Sequence, residues 1–356
     1  FFRFLKMDFS QREHRYAATY PENEEILSWL RKEEPEPVLE PDLAIVDPHH
    51  HLWDRRRDTC KYRTIVYQVT EILEDMYDGH NVVGTVYCQS KCYKKTTGPT
   101  ELRAVSEVEF AQGVAAACEA PNLYGPGAGP CTKVCWGIQG EVDLRDPLAG
   151  TTIERMMRCR NFRGLRGNGP FDDDFKRGFR VLEKHGLVFD IWHNPDPAYV
   201  PGELPKLAAL ARGFPTVTIV LNHLGGLVGP VIAGSPIEDT WRTELADLAN
   251  TCPNVVCKLG GILMPKNGFG LEKRDTPIGS EELAELTYPW LSYALDCFGP
   301  DRCMFESNFP VDKDSCSYRT LWNMFKRVAA KKGLTDEQKR AVFHDTAVRV
   351  YRLATD

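Results

Sequence analysis

The sequence predicts an α/β fold, a (β/α)8 TIM barrel with an N-terminal arm and an extra C-terminal helix. Three observations predict it. Between residues 43 and 352, eight short apolar runs alternate with amphipathic stretches, the pattern of strands that return through helices. No glycine-rich phosphate loop follows any run, which disfavours a doubly wound sheet, and Gly125-Pro126-Gly127-Ala128-Gly129 precedes a run instead. Histidines gather where the runs end, on the rim where such barrels keep their catalytic groups.

The totals exclude several partners. A net charge of −6 with no basic block argues against nucleic acid. The run Arg55-Arg56-Arg57 is answered by Asp54 and Asp58 and reads as a solvated turn. No apolar run approaches membrane-spanning length, so no membrane partner is expected, and no signal peptide is visible. The twelve cysteines are scattered, and neither Cys88/Cys92 nor Cys131/Cys135 has the two-residue gap of a zinc ribbon. Reduced thiols in a cytoplasmic protein are the expectation.

Residues 1–40 read as an arm, punctuated by Pro21, Pro35 and Pro37, with one short helix over Glu24 to Lys32. Residues 41–356 form the barrel. Strands are expected at 43–48, 81–89, 132–139, 161–166, 186–193, 216–223, 254–260 and 302–308. The helices between them are expected at 69–77, 102–118, 153–160, 174–184, 204–212, 241–250 and 281–297, with another from about Ser317. A last helix, Thr335 to Arg352, has an N-capping threonine and Glu337 in its first turn.

The rim can then be read strand by strand. The first run ends Asp47-Pro48-His49-His50-His51, and alternation puts Asp47, His49 and His51 on one side. Two such imidazoles suit a divalent metal or the polarisation of a carbonyl; a hydrogen-bonded histidine turn is the plainer alternative. Gln89 and Ser90 end the second strand, to orient a substrate oxygen or to cap a loop. Arg166 ends the fourth, suited to a carboxylate or lactone oxygen, or else to the acidic loop Asp172-Asp173-Asp174. Trp192 and His193 end the fifth, the tryptophan as a substrate contact and the histidine as a third metal ligand or proton carrier. His223 ends the sixth before Gly225 and Gly226, which allow close approach to a ligand. Lys258 interrupts the apolar seventh strand, as a carboxylate's partner or an electrophile facing substrate. Loops 89–101, 121–131, 224–240 and 262–280 are the long ones expected to shape the mouth.

The ordered set Asp47-x-His49-x-His51-x-Trp53, His223-Leu224-Gly225-Gly226, Lys258-Leu259-Gly260-Gly261 and Ser307-Asn308-Phe309-Pro310-Val311-Asp312 resembles the amidohydrolase-2 family, over about residues 43 to 352. The similarity is to its sugar-lactonase and pyrone-dicarboxylate-lactonase branch. The resemblance implies a hydrolase that opens a lactone or related cyclic ester of a small organic or sugar acid. Its catalytic histidines would be His49, His51, His193 and His223. Metal-binding members and lactonases of this family carry an aspartate where Asn308 stands, and an amide cannot accept a proton near neutral pH. Glu306, of the same strand parity as Asn308, or Asp312, in the loop over the mouth, would take its place, unless Glu306 only pairs with Lys258 or Arg166. The cofactor stays open: one divalent ion, Zn2+ or Mn2+, on His49, His51 and His193, or none. The alternatives are a metal-dependent decarboxylase of an aromatic or enoic acid, and a catalytically inactive barrel binding a small acid or a protein. A small-molecule lactone or carboxylate is the expected substrate, and homo-oligomerisation is open.

Overall fold

The computed structural model describes residues 21–57, 61–119, 133–192 and 199–353. Eight parallel strands follow one another around one sheet in chain order. They are β1 (Ile45–His50), β2 (Val82–Cys88), β3 (Lys133–Gly140), β4 (Phe162–Gly167), β5 (Val188–Ile191), β6 (Ile219–Leu221), β7 (Val255–Leu259) and β8 (Cys303–Phe305). The ends of β8 and β1 meet: Asn308 N donates to His49 O at 2.9 Å and His51 N to Phe309 O at 2.7 Å, closing the barrel. A helix follows each strand, as parallel neighbours require. These are α1 (Val69–Met76), α2 (Val105–Cys118), α3 (Ala149–Met156), α4 (Asp173–His185), α5 (Glu203–Gly213), α6 (Pro236–Thr251), α7 (Ser280–Phe298) and α8 (Tyr318–Lys332).

Inside the barrel, Val46, Val86, Val188, Val220, Val256 and Met304 pack into one apolar layer, closed from below by Val350, Tyr351 and Leu353 of the C-terminal segment. Gly137 makes room for that plug, because a Cβ there would stand 3.2 Å from Leu353 Cδ2. Two residues further along their strands, alternation brings Cys88, Asp190, Asn222, Lys258 and Glu306 to the same interior, all buried. The barrel is apolar at its base and polar beneath its mouth.

Several elements differ from expectation. The third helix begins at Ala149 rather than Ile153, because the poor helix formers Gly150, Thr151 and Thr152 mask its first turn. Strands β6 and β8 stop early, since His223 and Asn308 each turn to a φ of 54° and leave the ladder. Trp53–Asp54 and Val66–Tyr67 form a small antiparallel ladder that the sequence did not suggest. The last helix is interrupted by a π turn, Ala341–Asp345, although Thr335 caps it in a capping box with Gln338. Residues 21–44 lie against the barrel through Trp29 Nε1 to Arg274 O at 2.8 Å and Lys326 Nζ to Leu39 O at 2.6 Å. The ten described cysteines are free. Among the described residues no helix is long and apolar enough to cross a membrane.

Candidate active site

The C-terminal rim surrounds a cavity of about 290 Å3, lined among others by His51, Gln89, Arg166, Trp192, His223 and Asn308. Beneath its floor, His49 and Glu306 are wholly buried. The Glu306 carboxylate is shared: Oε1 lies 2.7 Å from His223 Nδ1 and Oε2 lies 2.7 Å from His49 Nδ1. The His49 contact is not aligned as a hydrogen bond, and Oε2 has no hydrogen-bond partner among the described residues. A lone pair on His223 Nδ1 would face a carboxylate oxygen, so that nitrogen carries the proton, whereas His49 Nδ1 lies between Glu306 Oε2 and the Lys258 ammonium, 3.4 Å away. Glycines make this convergence possible. A Cβ on Gly261 would fall 1.9 Å from His223 Nδ1, and one on Gly260 would fall 2.2 Å from Glu306 O.

His51 Nδ1 donates to Cys88 O at 2.8 Å, so its Nε2 is a lone pair. It faces His49 Nε2 at 3.2 Å. With His49 Nδ1 accepting from the Lys258 ammonium at 3.4 Å, Nε2–H donates across this gap; with the proton on Nδ1 instead, two lone pairs face one another and suit a cation between them. Protonation is a poor answer, because burial, and then Lys258, hold His49 well below the ordinary histidine value. Burial and Arg166 do the same to His51. A tetrahedral zinc with nitrogen ligands near 2.0–2.1 Å sets those nitrogens about 3.3 Å apart. In the Nδ1–H tautomer of His49 the pair fits a divalent ion, with Glu306 and Cys88 O as the outer partners that orient its ligands. His49, His223 and Glu306 also bring ligand atoms within 4.8 Å of one another, but both Nδ1 atoms there are already turned to the carboxylate.

His223 offers the remaining chemistry. With its Nδ1 on Glu306, the unprotonated nitrogen of a ring that lines the cavity is Nε2. Burial lowers its pKa, with Glu306 opposing and Arg166 assisting, so the ring is neutral near pH 7 and ready to accept a proton. Arg166 stands over the Trp192 ring, 5.3 Å from its centroid, and has no carboxylate partner among the described residues. Gln89 Oε1 and Trp192 Nε1 are buried in the cavity wall without hydrogen-bond partners among the described residues. Such atoms await a ligand or water.

Other expected residues stand elsewhere. Asp47 does not join the imidazoles, because a register shift between Asp47 and His50 breaks the alternation. Its carboxylate accepts from Ser307 Oγ at 2.5 Å, Ser307 N at 3.0 Å and Tyr318 OH at 3.1 Å, tying β1 to the end of β8. His50 turns away to Thr85 Oγ1 at 2.9 Å and packs on Tyr87. Lys258 does not face substrate; it is wholly buried, with Nζ 2.7 Å from Asp190 Oδ2. Burial works against its charge, yet Asp190, Cys88 and Glu306 outweigh it and hold its pKa above the ordinary lysine value. Asp312 is not over the mouth but buried behind Asn308, accepting from Asn308 Nδ2 at 2.9 Å and Leu263 N at 3.2 Å. Ser90 is a loop tie, its hydroxyl donating to Leu52 O at 3.0 Å. His193 and loop 121–131 lie outside the described residues. Part of the wall comes from Trp53, Arg55 and Tyr62, rather than from loop 224–240. Trp53 stacks on Tyr62 with ring centroids 5.2 Å apart, a pairing the sequence did not signal.

A family model described as Amidohydrolase matches residues 46–353. The chain belongs to the amidohydrolase family. It is an enzyme of that hydrolase family. A relative named uncharacterized protein y4mH, from Sinorhizobium fredii, is 30% identical over 347 residues, 88% of this chain and 99% of its own length. L-fucono-1,5-lactonase of Burkholderia multivorans is 31% identical over 187 residues, 51% of this chain and 57% of the lactonase. The crystal structure of an amidohydrolase from Burkholderia multivorans with bound zinc superposes with a TM-score of 0.65 at 23% identity, covering 87% of this chain and all of that one, a likeness of fold.

Proposed function

We propose that this amidohydrolase opens a lactone of a small organic or sugar acid. The observation that carries the reading is Glu306 Oε1 holding His223 Nδ1 at 2.7 Å, so that His223 presents Nε2 to the cavity. His223 takes a proton from water as the hydroxide adds to the lactone carbonyl carbon. The ring C–O bond then breaks, and the leaving alkoxide recovers that proton from Nε2, giving the open hydroxy acid. Arg166 pairs with a carboxylate or carbonyl oxygen, while Gln89 Oε1 accepts from a substrate hydroxyl. Each donor well placed toward the developing oxyanion contributes roughly 3 kcal/mol. His49 and His51 would hold a divalent ion, Zn2+ or Mn2+, which supplies Lewis-acid polarisation of the carbonyl when bound. The lactonase named above supports the substrate class at modest identity.

The test is acid release from a panel of sugar, pyrone and muconate-type lactones by purified protein. Opening of any of them, with His223→Asn lowering kcat by about 10²- to 10⁴-fold, supports the reading. Silence across the panel overturns it. Carbon dioxide release from an aromatic or enoic acid would point to a decarboxylase, and a tightly held acid returned unchanged to a binding barrel.

A further inference from the structure

Beneath the cavity floor lies a chain of buried groups that touches no substrate. Lys258 Nζ stands 2.7 Å from Asp190 Oδ2, 3.4 Å from His49 Nδ1, 3.8 Å from Cys88 Sγ and 4.0 Å from Glu306 Oε2. Tyr351, from the segment that plugs the base of the barrel, donates to Asp190 Oδ2 at 2.8 Å and is also 3.1 Å from Oδ1. β1, β2, β5 and the end of β8 therefore meet around the ammonium group of β7, and the C-terminal segment joins them through Asp190.

Stability does not account for this network. Taking two carboxylates and an ammonium out of water is costly, and apolar side chains of the same volume usually serve a core as well or better. The arrangement does account for how Glu306 is turned. Its Oε1 is on His223 Nδ1, whereas Oε2 has no hydrogen-bond partner among the described residues, so that bond alone does not fix the carboxylate. Lys258 lies on the Oε2 side, and Asp190 and Tyr351 hold Lys258 in that position.

We propose that Lys258, fixed by Asp190 and Tyr351, is a positioning residue whose charge on the Oε2 side holds Glu306 with its Oε1 on His223 Nδ1. Through Glu306 it keeps the Nε2 atom of His223 free toward the cavity, and the C-terminal plug becomes part of the active site. The catalytic consequence rests on the lactone-hydrolase reading; the geometric one does not. In its absence His223 loses its fixed tautomer while the cavity wall stays intact, so turnover falls and substrate binding does not.

The experiment compares Lys258→Met and Tyr351→Phe with the parent enzyme. Long-range 1H–15N spectra of histidine-labelled protein report the tautomers of His49 and His223, assigned with His49→Asn and His223→Asn. His223 is expected as Nδ1–H in the parent and as mixed tautomers in Lys258→Met. Lactone turnover is expected to fall about 10- to 100-fold in kcat, as when an outer partner of a ligating imidazole is removed, at unchanged KM. Tyr351→Phe removes only a hydroxyl, keeps the ring in the plug, and should shift the same signals in the same direction by less. It carries the test if Lys258→Met does not fold. Folded variants with parental tautomers, or a loss confined to KM, would overturn the proposal. Altered tautomers in a protein that opens no lactone would uphold the positioning role and refute only the reaction.

Discussion

Replacing Glu306 by glutamine puts the greatest load on the site. Its Oε1 accepts from His223 Nδ1 at 2.7 Å and from His223 N at 3.3 Å, its Oε2 lies 2.7 Å from His49 Nδ1, and the carboxylate has no exposure to solvent. A glutamine has one accepting oxygen, and its amide nitrogen must face the other imidazole. That imidazole has to turn a lone pair to the amide and move its proton to Nε2. If it is His223, the base facing the cavity is gone; if it is His49, the Nε2 pair no longer suits a metal. One charge-assisted hydrogen bond of about 1.5–3 kcal/mol is lost outright, and the other weakens. When a catalytic imidazole is left in the wrong tautomer the rate falls about 10⁴-fold. We therefore expect kcat to drop by about 10³- to 10⁴-fold, or about 4–5.5 kcal/mol of barrier. Steady-state kinetics on the best lactone, with circular dichroism and a melting curve to verify the fold, is the assay. Glu306→Asp, which keeps the charge but reaches only one ring, should fall between. A folded Glu306→Gln enzyme within threefold of the parent kcat would refute the argument that this carboxylate sets the tautomers.

Other outcomes follow from the same geometry. Arg166→Met should raise KM for carboxylate-bearing lactones by about 10- to 150-fold, the worth of a charged hydrogen bond of about 1.5–3 kcal/mol, and leave kcat nearly unchanged; an equal fall in kcat would assign the guanidinium to the transition state. Zinc at 100 times its dissociation constant should stabilise the fold by about 2.7 kcal/mol, read as a rise in melting temperature that His51→Asn abolishes; a rise that survives that substitution places the ion elsewhere. Burial pushes His50 down from 6.5 to about 3. Its folded pKa is depressed, so the unfolded chain binds the extra proton, and stability is lost as pH falls from about 6.5 toward 3, by about 1.4 kcal/mol per unit. Urea unfolding of His50→Gln at pH 7, 6 and 5 should show a pH slope smaller by one proton; parallel slopes would mean that His50 is charged in the folded state.

The barrel was legible because strand and helix periodicity are local properties of the chain. His49, His51 and His223 were legible because they end such strands, and the parity of Glu306 correctly placed it inside. Asp47 was misjudged because alternation fails at a bulge, and a bulge depends on the partner strand. Asp312 was misplaced because Val311 to Ser315 turns inward, which only its contacts with Asn308 and Leu263 reveal. Lys258 drew notice as a charge in an apolar strand, but sequence cannot tell a lysine that faces substrate from one held beneath it.

The sequence by itself determined the eight-fold alternation, the family and the set of side chains delivered to one rim, because each follows from short-range pattern and chain order. The tertiary structure decided which nitrogen of each imidazole is free, what Glu306 holds, and that Tyr351, 161 residues from Asp190 along the chain, reaches it. Those outcomes depend on distances of a few ångströms between strands that share no local sequence, and only the closed barrel sets them.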